Sequence, residues 1–182
     1  MRKYLFVLLV VFCTENSVKA QNIWTSKNAN ISFFSSTVVE DIEGKSKTAS
    51  SALDVKSGNI IFKVYNNSFQ FKKKLMQEHF NENYMESDKY PISEFKGKIN
   101  EQLDISQSGA RKVTIEGILN IHGVSKTYRT TADLVMENGG MTAKAVFKVK
   151  IADHNIKIPS LVFKNIAEFV DVRILATYFP KK

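Results

Sequence analysis

Residues capable of chemistry are few in this chain, and its histidines lie far apart. His79, His122 and His154 are each separated by more than thirty residues, so none of them forms a pair at the close spacing of metal ligands. We therefore expect His79 on the inner face of a helix, and the other two rings in hydrogen bonds within turns. A metal site assembled from all three rings in space is the open alternative.

A nucleophile with a neighbouring base is not apparent either. Cys13 is the only cysteine, and the chain has neither the Gly-x-Ser-x-Gly elbow of serine hydrolases nor a glycine-rich phosphate loop. The carboxylates of Glu40, Asp41 and Glu43 cluster on an extended segment, where they are typical of a solvated face rather than of an acid–base pair. The sequence thus predicts a protein that is not an enzyme and that uses no metal and no cofactor.

The first twenty residues have the pattern of a secretory signal peptide. Arg2 and Lys3 precede an apolar run from Tyr4 to Phe12, which is too short to span a bilayer. The small residue Ala20 then predicts cleavage just before Gln21. Residues 1–20 are therefore expected to be removed, and the mature protein is expected to be periplasmic or secreted.

A competing interpretation of the same segment is lipoprotein processing at Cys13. That processing requires a small residue immediately before the cysteine, and Phe12 stands there instead. Removal of the predicted signal peptide leaves no cysteine in the mature chain. The mature protein must then fold without disulfides, even in an oxidising compartment.

The chain is basic, with a formal net charge of +8, but its lysines are scattered. The longest basic run, Lys72 to Lys74, follows Phe69 and Phe71, and basic residues interleaved with aromatic ones can bind single-stranded nucleic acid by stacking. Export argues against such a partner, so we expect no nucleic-acid binding. The charge is either an ordinary solvated surface or suited to anionic head groups, with transient contact to a membrane surface.

Beyond the signal peptide, the hydrophobic pattern is mostly that of β-strands. Val113 to His122 and Met141 to Ile151 alternate apolar and polar residues with period two, as half-buried strands do. Gly44 is expected to interrupt an earlier strand. One short amphipathic helix is expected between about Lys72 and Tyr84.

The pattern as a whole predicts an all-β fold in a single domain, residues 21–182. An open sheet of about eight antiparallel strands leaves unpaired backbone N–H and C=O groups along its two edges, and closure into a barrel removes these edges. Phe69 and Phe71 fall on the opposite parity to Phe62 and Val64, which predicts a bulge or a bend around residues 66–68. An eight-stranded barrel has room for side chains or one slender ligand, and the 13 phenylalanines of the chain favour the lining of a cavity.

Three strings of the chain resemble, in order, the motifs of the YceI-like family. The first extends from Phe71 to Phe95, the second from Gly117 to Lys126, and the third from Phe147 to Pro159. The resemblance covers about residues 23–179. It implies an exported, lipocalin-like antiparallel barrel whose elongated interior holds a polyisoprenoid or a similar amphiphilic lipid, in a family not known for enzymes.

A cavity that hides a long apolar chain from water must be lined by flexible or flat apolar groups, which makes the aromatic residues and their apolar neighbours the candidate binding site. Leu75, Met76 and Phe80 are expected to plug or gate one end of the barrel, and methionine adapts well to a variable ligand. Three residues, His79, Arg111 and Lys126, are candidates for contact with a phosphate or quinone head group. The candidate ligand-binding residues, for each of which plain core packing is the alternative, are Phe62, Val64, Phe69, Phe71, Leu75, Met76, His79, Phe80, Tyr84, Phe95 and Phe147.

Two functions of different kinds remain open at this point. The first is an exported carrier or binding protein for a long-chain amphiphilic lipid, of the polyisoprenoid or isoprenoid-quinone type. The second is a structural or interaction module of the cell envelope, with a self-filled barrel and a basic partner-binding surface whose contacts are sensitive to salt. The sequence also leaves open whether the protein forms a homodimer.

Overall fold

The computed structural model describes residues 22–37, 40–158 and 167–181. The predicted signal peptide, with Cys13, lies outside these residues. Nine antiparallel strands occur in the described part of the chain. They are β1 (Ile23–Ser36), β2 (Asp41–Asp54), β3 (Asn59–Tyr65), β4 (Gln70–Phe71), β5 (Ile92–Ile99), β6 (Gly109–Ile121), β7 (Val124–Glu137), β8 (Gly140–Lys150) and β9 (Phe169–Pro180).

Eight of these strands close into a barrel, as the sequence predicts. Neighbours pair in the order β1–β9–β8–β7–β6–β5–β3–β2, and β1 also pairs with β2, which completes the ring. The two-residue strand β4 adds to the outer end of β2 at Gly44 and Lys45. Closure gives each of the eight barrel strands a partner on both sides, so no long edge is left exposed.

The predicted helix is present but shorter than the sequence indicated. The α-helix α1 spans Lys74–His79, and a π-helical turn, Phe80–Tyr84, continues it. Helix formation does not begin at Lys72 because Phe71 is still held in the β4 pairing with Gly44, and Lys73 remains extended. None of the helices in the described residues is long and apolar enough to cross a membrane.

The seam between β1 and β2 contains two irregularities in register, one on each side of Ala29. Because side chains alternate across a strand, each extra residue moves the following ones to the other face. Trp24 and Ser26 are therefore buried on even positions of β1, whereas Ala29 and Ser35 are buried on odd ones. The predicted bend after β3 is confirmed as a short 3₁₀ turn, Asn66–Ser68.

Gly44 does not interrupt a strand, contrary to the prediction from the sequence. It lies inside β2, opposite Phe33 of β1 and Phe71 of β4. A Cβ atom added at Gly44 would lie 2.5 Å from Cε1 of Phe33 and 2.9 Å from Cζ of Phe71. The absence of a side chain at Gly44 therefore makes room for the two rings that cover it, and no turn occurs there.

The two ends of the barrel differ in how they are filled. At the end where β6 and β8 begin, here called the packed end, buried side chains meet across the interior: Leu53, Ile99, Val113, Leu134 and Met141. A tight turn at Asn138 and Gly139, both with positive φ, connects β7 to β8 there. The opposite end, where β1 and β3 finish, carries α1 and is called the helix end.

Substitution of Gly44 by alanine tests this close approach of rings and backbone. We expect Gly44→Ala to lower the free energy of unfolding by about 1–3 kcal/mol, because the new methyl group must displace two packed phenylalanine rings. Urea denaturation measures this loss. Gly140→Ala is the matched control, because its nearest obstacle is the exposed Phe179 ring, which can turn away. Equal losses in both variants would contradict the interpretation.

Candidate functional site

Inward-facing side chains in the half of the barrel nearer the helix end surround a cavity of about 330 Å³. Its wall is mostly aliphatic and aromatic, and α1 with its π-helical turn contributes Met76, Phe80 and Tyr84. His79 lines the cavity and is also exposed to solvent, so it lies on the rim. The volume lies at the lower end of the range of about 300–1,000 Å³ that is typical of ligand pockets.

Ten of the eleven candidate ligand-binding residues line this cavity: Phe62, Val64, Phe69, Phe71, Met76, His79, Phe80, Tyr84, Phe95 and Phe147. Leu75 is the exception and corrects the prediction that it plugs the barrel. Its side chain is 61% exposed, because it lies on the side of the short helix that faces away from the barrel. Of the three residues expected to plug or gate the barrel, only Met76 and Phe80 line the cavity.

Four phenylalanines pack together beneath α1. The ring centroid of Phe80 lies 5.3 Å from that of Phe33, 5.5 Å from that of Phe69 and 5.0 Å from that of Phe71. Such tilted and stacked arrangements are the favourable ones for aromatic pairs. This cluster anchors the helix over the cavity, and Phe33 at its centre was not among the predicted site residues.

The three predicted head-group residues are not brought together. Arg111 lies near the start of β6, at the packed end, where its guanidinium donates a hydrogen bond to the Gln107 carbonyl at 3.3 Å. Lys126 is exposed on β7 and does not line the cavity. Of the three, only His79 lies at the rim, so the structure gives no support to a shared head-group site.

Many lining residues are not among the predicted ones, which are mostly aromatic, because the rest of the wall is mostly aliphatic. They come from the inward-facing positions of most of the other strands and from the segment after β8. The period-two alternation of apolar residues in the sequence is the signal that indicates most of these inward-facing positions. Those residues are Ile31, Phe33, Ile60, Ile115, Leu119, Ile121, Tyr128, Val149, Ile156, Ile158, Val170, Val172, Ile174 and Tyr178.

His154 and His122 form hydrogen bonds at turns, as predicted. His154 is fully buried; its Nδ1–H donates to the Val124 carbonyl at 3.0 Å, and its Nε2 lies 3.0 Å from the Tyr128 hydroxyl. Because a carbonyl oxygen can only accept, a neutral His154 has its proton on Nδ1 and accepts from Tyr128. No group of three or more His, Cys, Asp or Glu side chains in the described ranges is placed to hold a metal ion.

His122 ties the β6–β7 hairpin to the loop that follows the π-helical turn. Its Nε2 lies 2.7 Å from Oε2 of Glu86, and its Nδ1 lies 3.2 Å from the His154 carbonyl oxygen. His122 and Glu86 both have positive φ, at 51° and 43°, a backbone conformation that costs free energy for residues other than glycine. This contact holds the loop that follows the π-helical turn against the β6–β7 hairpin.

Fold and cavity together define the class of protein: a closed eight-stranded antiparallel barrel whose apolar interior is filled at one end and hollow at the other. The sequence pattern of the YceI-like domain matches residues 24–178. The chain belongs to the YceI-like family. Comparison with curated protein sequences finds no significant match.

Solved structures of similar fold support the architecture. A polyisoprenoid binding domain from Saccharophagus degradans has 13% sequence identity and a TM-score of 0.74, over 88% of this chain and 99% of that one. Burkholderia cenocepacia BcnA has 17% identity and a TM-score of 0.71, over 82% and 95%. A Campylobacter jejuni YCEI protein has 17% identity and a TM-score of 0.57, over 100% and 99%. At these identities the similarity shows the fold.

The burial of His154 makes the protein sensitive to acid. Burial lowers the pKa of its imidazole below 6.5, aided by the charge of Lys126 and opposed by Asp153 and by the bond to Val124. A pKa lowered in the folded state means that the unfolded chain binds the proton first, so the contribution to stability is present above pH ~6.5 and is lost as the pH falls. We expect urea denaturation between about pH 7 and pH 5 to show a steeper loss in the native protein than in His154→Gln. Parallel curves would contradict this.

Proposed function

We propose that this protein binds one long-chain amphiphilic lipid, of the polyisoprenoid or isoprenoid-quinone type, in its barrel and carries or stores it outside the cytoplasm. The observation that supports this most is the apolar cavity, lined by residues from α1, its π-helical turn and the barrel strands. A carrier of this kind must hide most of an insoluble chain from water. A barrel filled by its own side chains would have no such space.

The driving force for binding comes from the apolar chain itself. Each methylene group transferred from water into an apolar cavity contributes about 0.8 kcal/mol, so a long chain needs no strong polar anchor. This agrees with the absence of a clustered head-group site among the predicted residues, of which only His79 reaches the rim. Selectivity would then rest on the shape and length of the tail.

The similar proteins support the same class of ligand. The Saccharophagus degradans domain is described as polyisoprenoid binding, and its fold matches this chain with a TM-score of 0.74. The chain belongs to the YceI-like family, whose pattern spans residues 24–178. Fold and family together favour a lipid over other apolar ligands.

Loading and release require that the cavity meets a membrane surface. Met76 and Phe80 cover the cavity at the helix end, and the neighbouring Leu75 is exposed beside the basic run from Lys72 to Lys74. An exposed apolar side chain next to lysines suits transient contact with an anionic lipid surface. Within that run, Lys73 pairs with Glu40 and Lys74 with Glu78, so only part of the charge is available for this contact.

The proposal includes export and excludes a chemical step. The pattern of residues 1–20 supports an extracytoplasmic location, and the residues of the cavity suit burial of a ligand rather than its conversion. No cofactor or metal is needed for such binding. A single barrel completes the cavity, so the proposal does not depend on a homodimer. The alternative, an envelope module with a self-filled barrel, is disfavoured by the hollow half of the interior.

The decisive experiment is native mass spectrometry of the mature protein purified from its own envelope fraction, followed by organic extraction. We expect a stoichiometric long-chain adduct in the native protein. The double variant Phe62→Asp, Phe80→Asp is expected to lose at least about nine-tenths of it, because two charges in an apolar cavity cost more than the chain recovers. Circular dichroism verifies that the variant is folded.

Val146→Asp is the matched control, because Val146 is an apolar residue of the cavity-lining strand β8 whose side chain is exposed outside the cavity. We expect it to retain the adduct. An apo mass in every preparation of the native protein, with no uptake of added quinones or polyprenols, would refute the proposed function. Undiminished lipid in the folded double variant would refute the assignment of the cavity as the binding site.

A further inference from the structure

The cavity ends at one level inside the barrel, and that level can be located strand by strand. On β6, β7 and β8 the innermost lining residues are Ile115, Ala132 and Ala143. The next inward-facing residues toward the packed end, such as Leu134 and Met141, are almost fully buried and do not line the cavity. The boundary between hollow and packed interior is therefore sharp.

Tyr178 lies at this boundary. On β9, the alternate residues from the helix end as far as Ile174 line the cavity. The next inward-facing residue, Ala176, does not line it. Tyr178, two residues closer to the packed end and larger, does. Tyr178 is paired with Met141, which belongs to the packed end, and only 1% of it is exposed. Its ring thus reaches from the packed end into the space above and closes the inner end of the cavity.

The ring of Tyr178 is held in this position by a hydrogen bond to another strand. Its hydroxyl lies 2.7 Å from Oγ of Ser51 on β2, and Ser51 in turn donates to the Ile61 carbonyl on β3 at 2.7 Å. Since the Ser51 proton is used in that second bond, Tyr178 is the donor to Ser51. Burial raises the pKa of Tyr178 to about 12, so the donor proton is present at physiological pH.

The wall just above Tyr178 consists of small residues. Ala132 of β7 is paired with Ala145 of β8, and Ala143 lies two residues before Ala145 on the same face. All three line the cavity. The Tyr178 ring is here called the floor of the cavity. There is space next to the floor because these three positions are alanine, whereas other inward-facing positions have larger side chains.

We propose that Tyr178, braced by Ser51, is the residue that sets the maximum length of the apolar chain that the barrel accepts. Ala145 sets the space available just above it. The proposal rests on the proposed function and adds a selectivity rule to it: the ligand is chosen by the length of its tail, which ends against the Tyr178 ring. A residue that only stabilises the core would alter stability without altering this length limit.

The test uses an equimolar mixture of saturated primary alcohols from dodecanol to tetracosanol, offered to delipidated mature protein and analysed by native mass spectrometry. We expect the native protein to retain alcohols up to a sharp upper length. Tyr178→Ala removes the ring and is expected to raise that limit by about six carbons. Ala145→Leu fills space above the floor and is expected to lower it by about three carbons.

Two further variants separate length selection from stability. Tyr178→Phe restores the ring without the hydroxyl, and we expect it to restore the native length limit even if the protein melts at a lower temperature. Val146→Leu is the control for Ala145→Leu, because Val146 is the adjacent residue of β8 and is 61% exposed on the outer face. We expect it to leave the limit unchanged.

The outcomes distinguish this inference from the function on which it rests. If the native protein takes up neither alcohols nor polyprenols, the proposed function and the length limit both fail. If it takes them up but Tyr178→Ala and Ala145→Leu show the native length profile, only the role of Tyr178 is overturned. Should Tyr178→Ala fail to fold, Tyr178→Leu, which keeps an apolar side chain but shortens it, takes its place: a raised limit supports the inference, and an unchanged one overturns it.

Discussion

Closure of the sheet through β1 is the constraint on which the rest of this structure depends. β1 pairs with β2 across the seam and with β9 on its other side, so it joins the two ends of the sheet. The register irregularities beside Ala29 allow that strand to turn both of its halves inward. Without this seam the barrel would have two open edges, and the cavity would have no continuous wall.

Closure creates an interior, and the sizes of the inward-facing side chains decide how it is used. Large residues such as Leu134 and Met141 meet at the packed end and form a core that supports the fold. In the other half, alanines on β7 and β8 leave a gap that the surrounding rings do not fill. An unfilled apolar cavity loses dispersion contacts, so the packed half must provide stability that the hollow half does not.

The polar contacts near the cavity join separate segments of the chain around it. His122 and Glu86 bind each other across two segments, and His154 joins Tyr128 to the carbonyl of Val124. The contact between His122 and Glu86, with the phenylalanine cluster around Phe80, holds the helical segment against the barrel, and His154 holds the turn after β8 against β7. His122 and His154, two of the three rings that a metal site would need, are thus engaged in hydrogen bonds between segments of the fold.

Strand alternation, the turns and the ordered family motifs were readable from the sequence alone, because each depends on residues that are neighbours along the chain. They predicted the closed antiparallel barrel, the bend after β3 and ten of the side chains that line the cavity, but not the aliphatic part of its wall on β6 to β9. The tertiary structure alone decided that Gly44 lies inside β2 under two rings, that Leu75 faces solvent and that Arg111 lies at the packed end. The physical reason is that period-two alternation gives the face of a residue but not its level along the barrel. That level, which separates cavity from core at Tyr178, depends on the register between strands far apart in the chain.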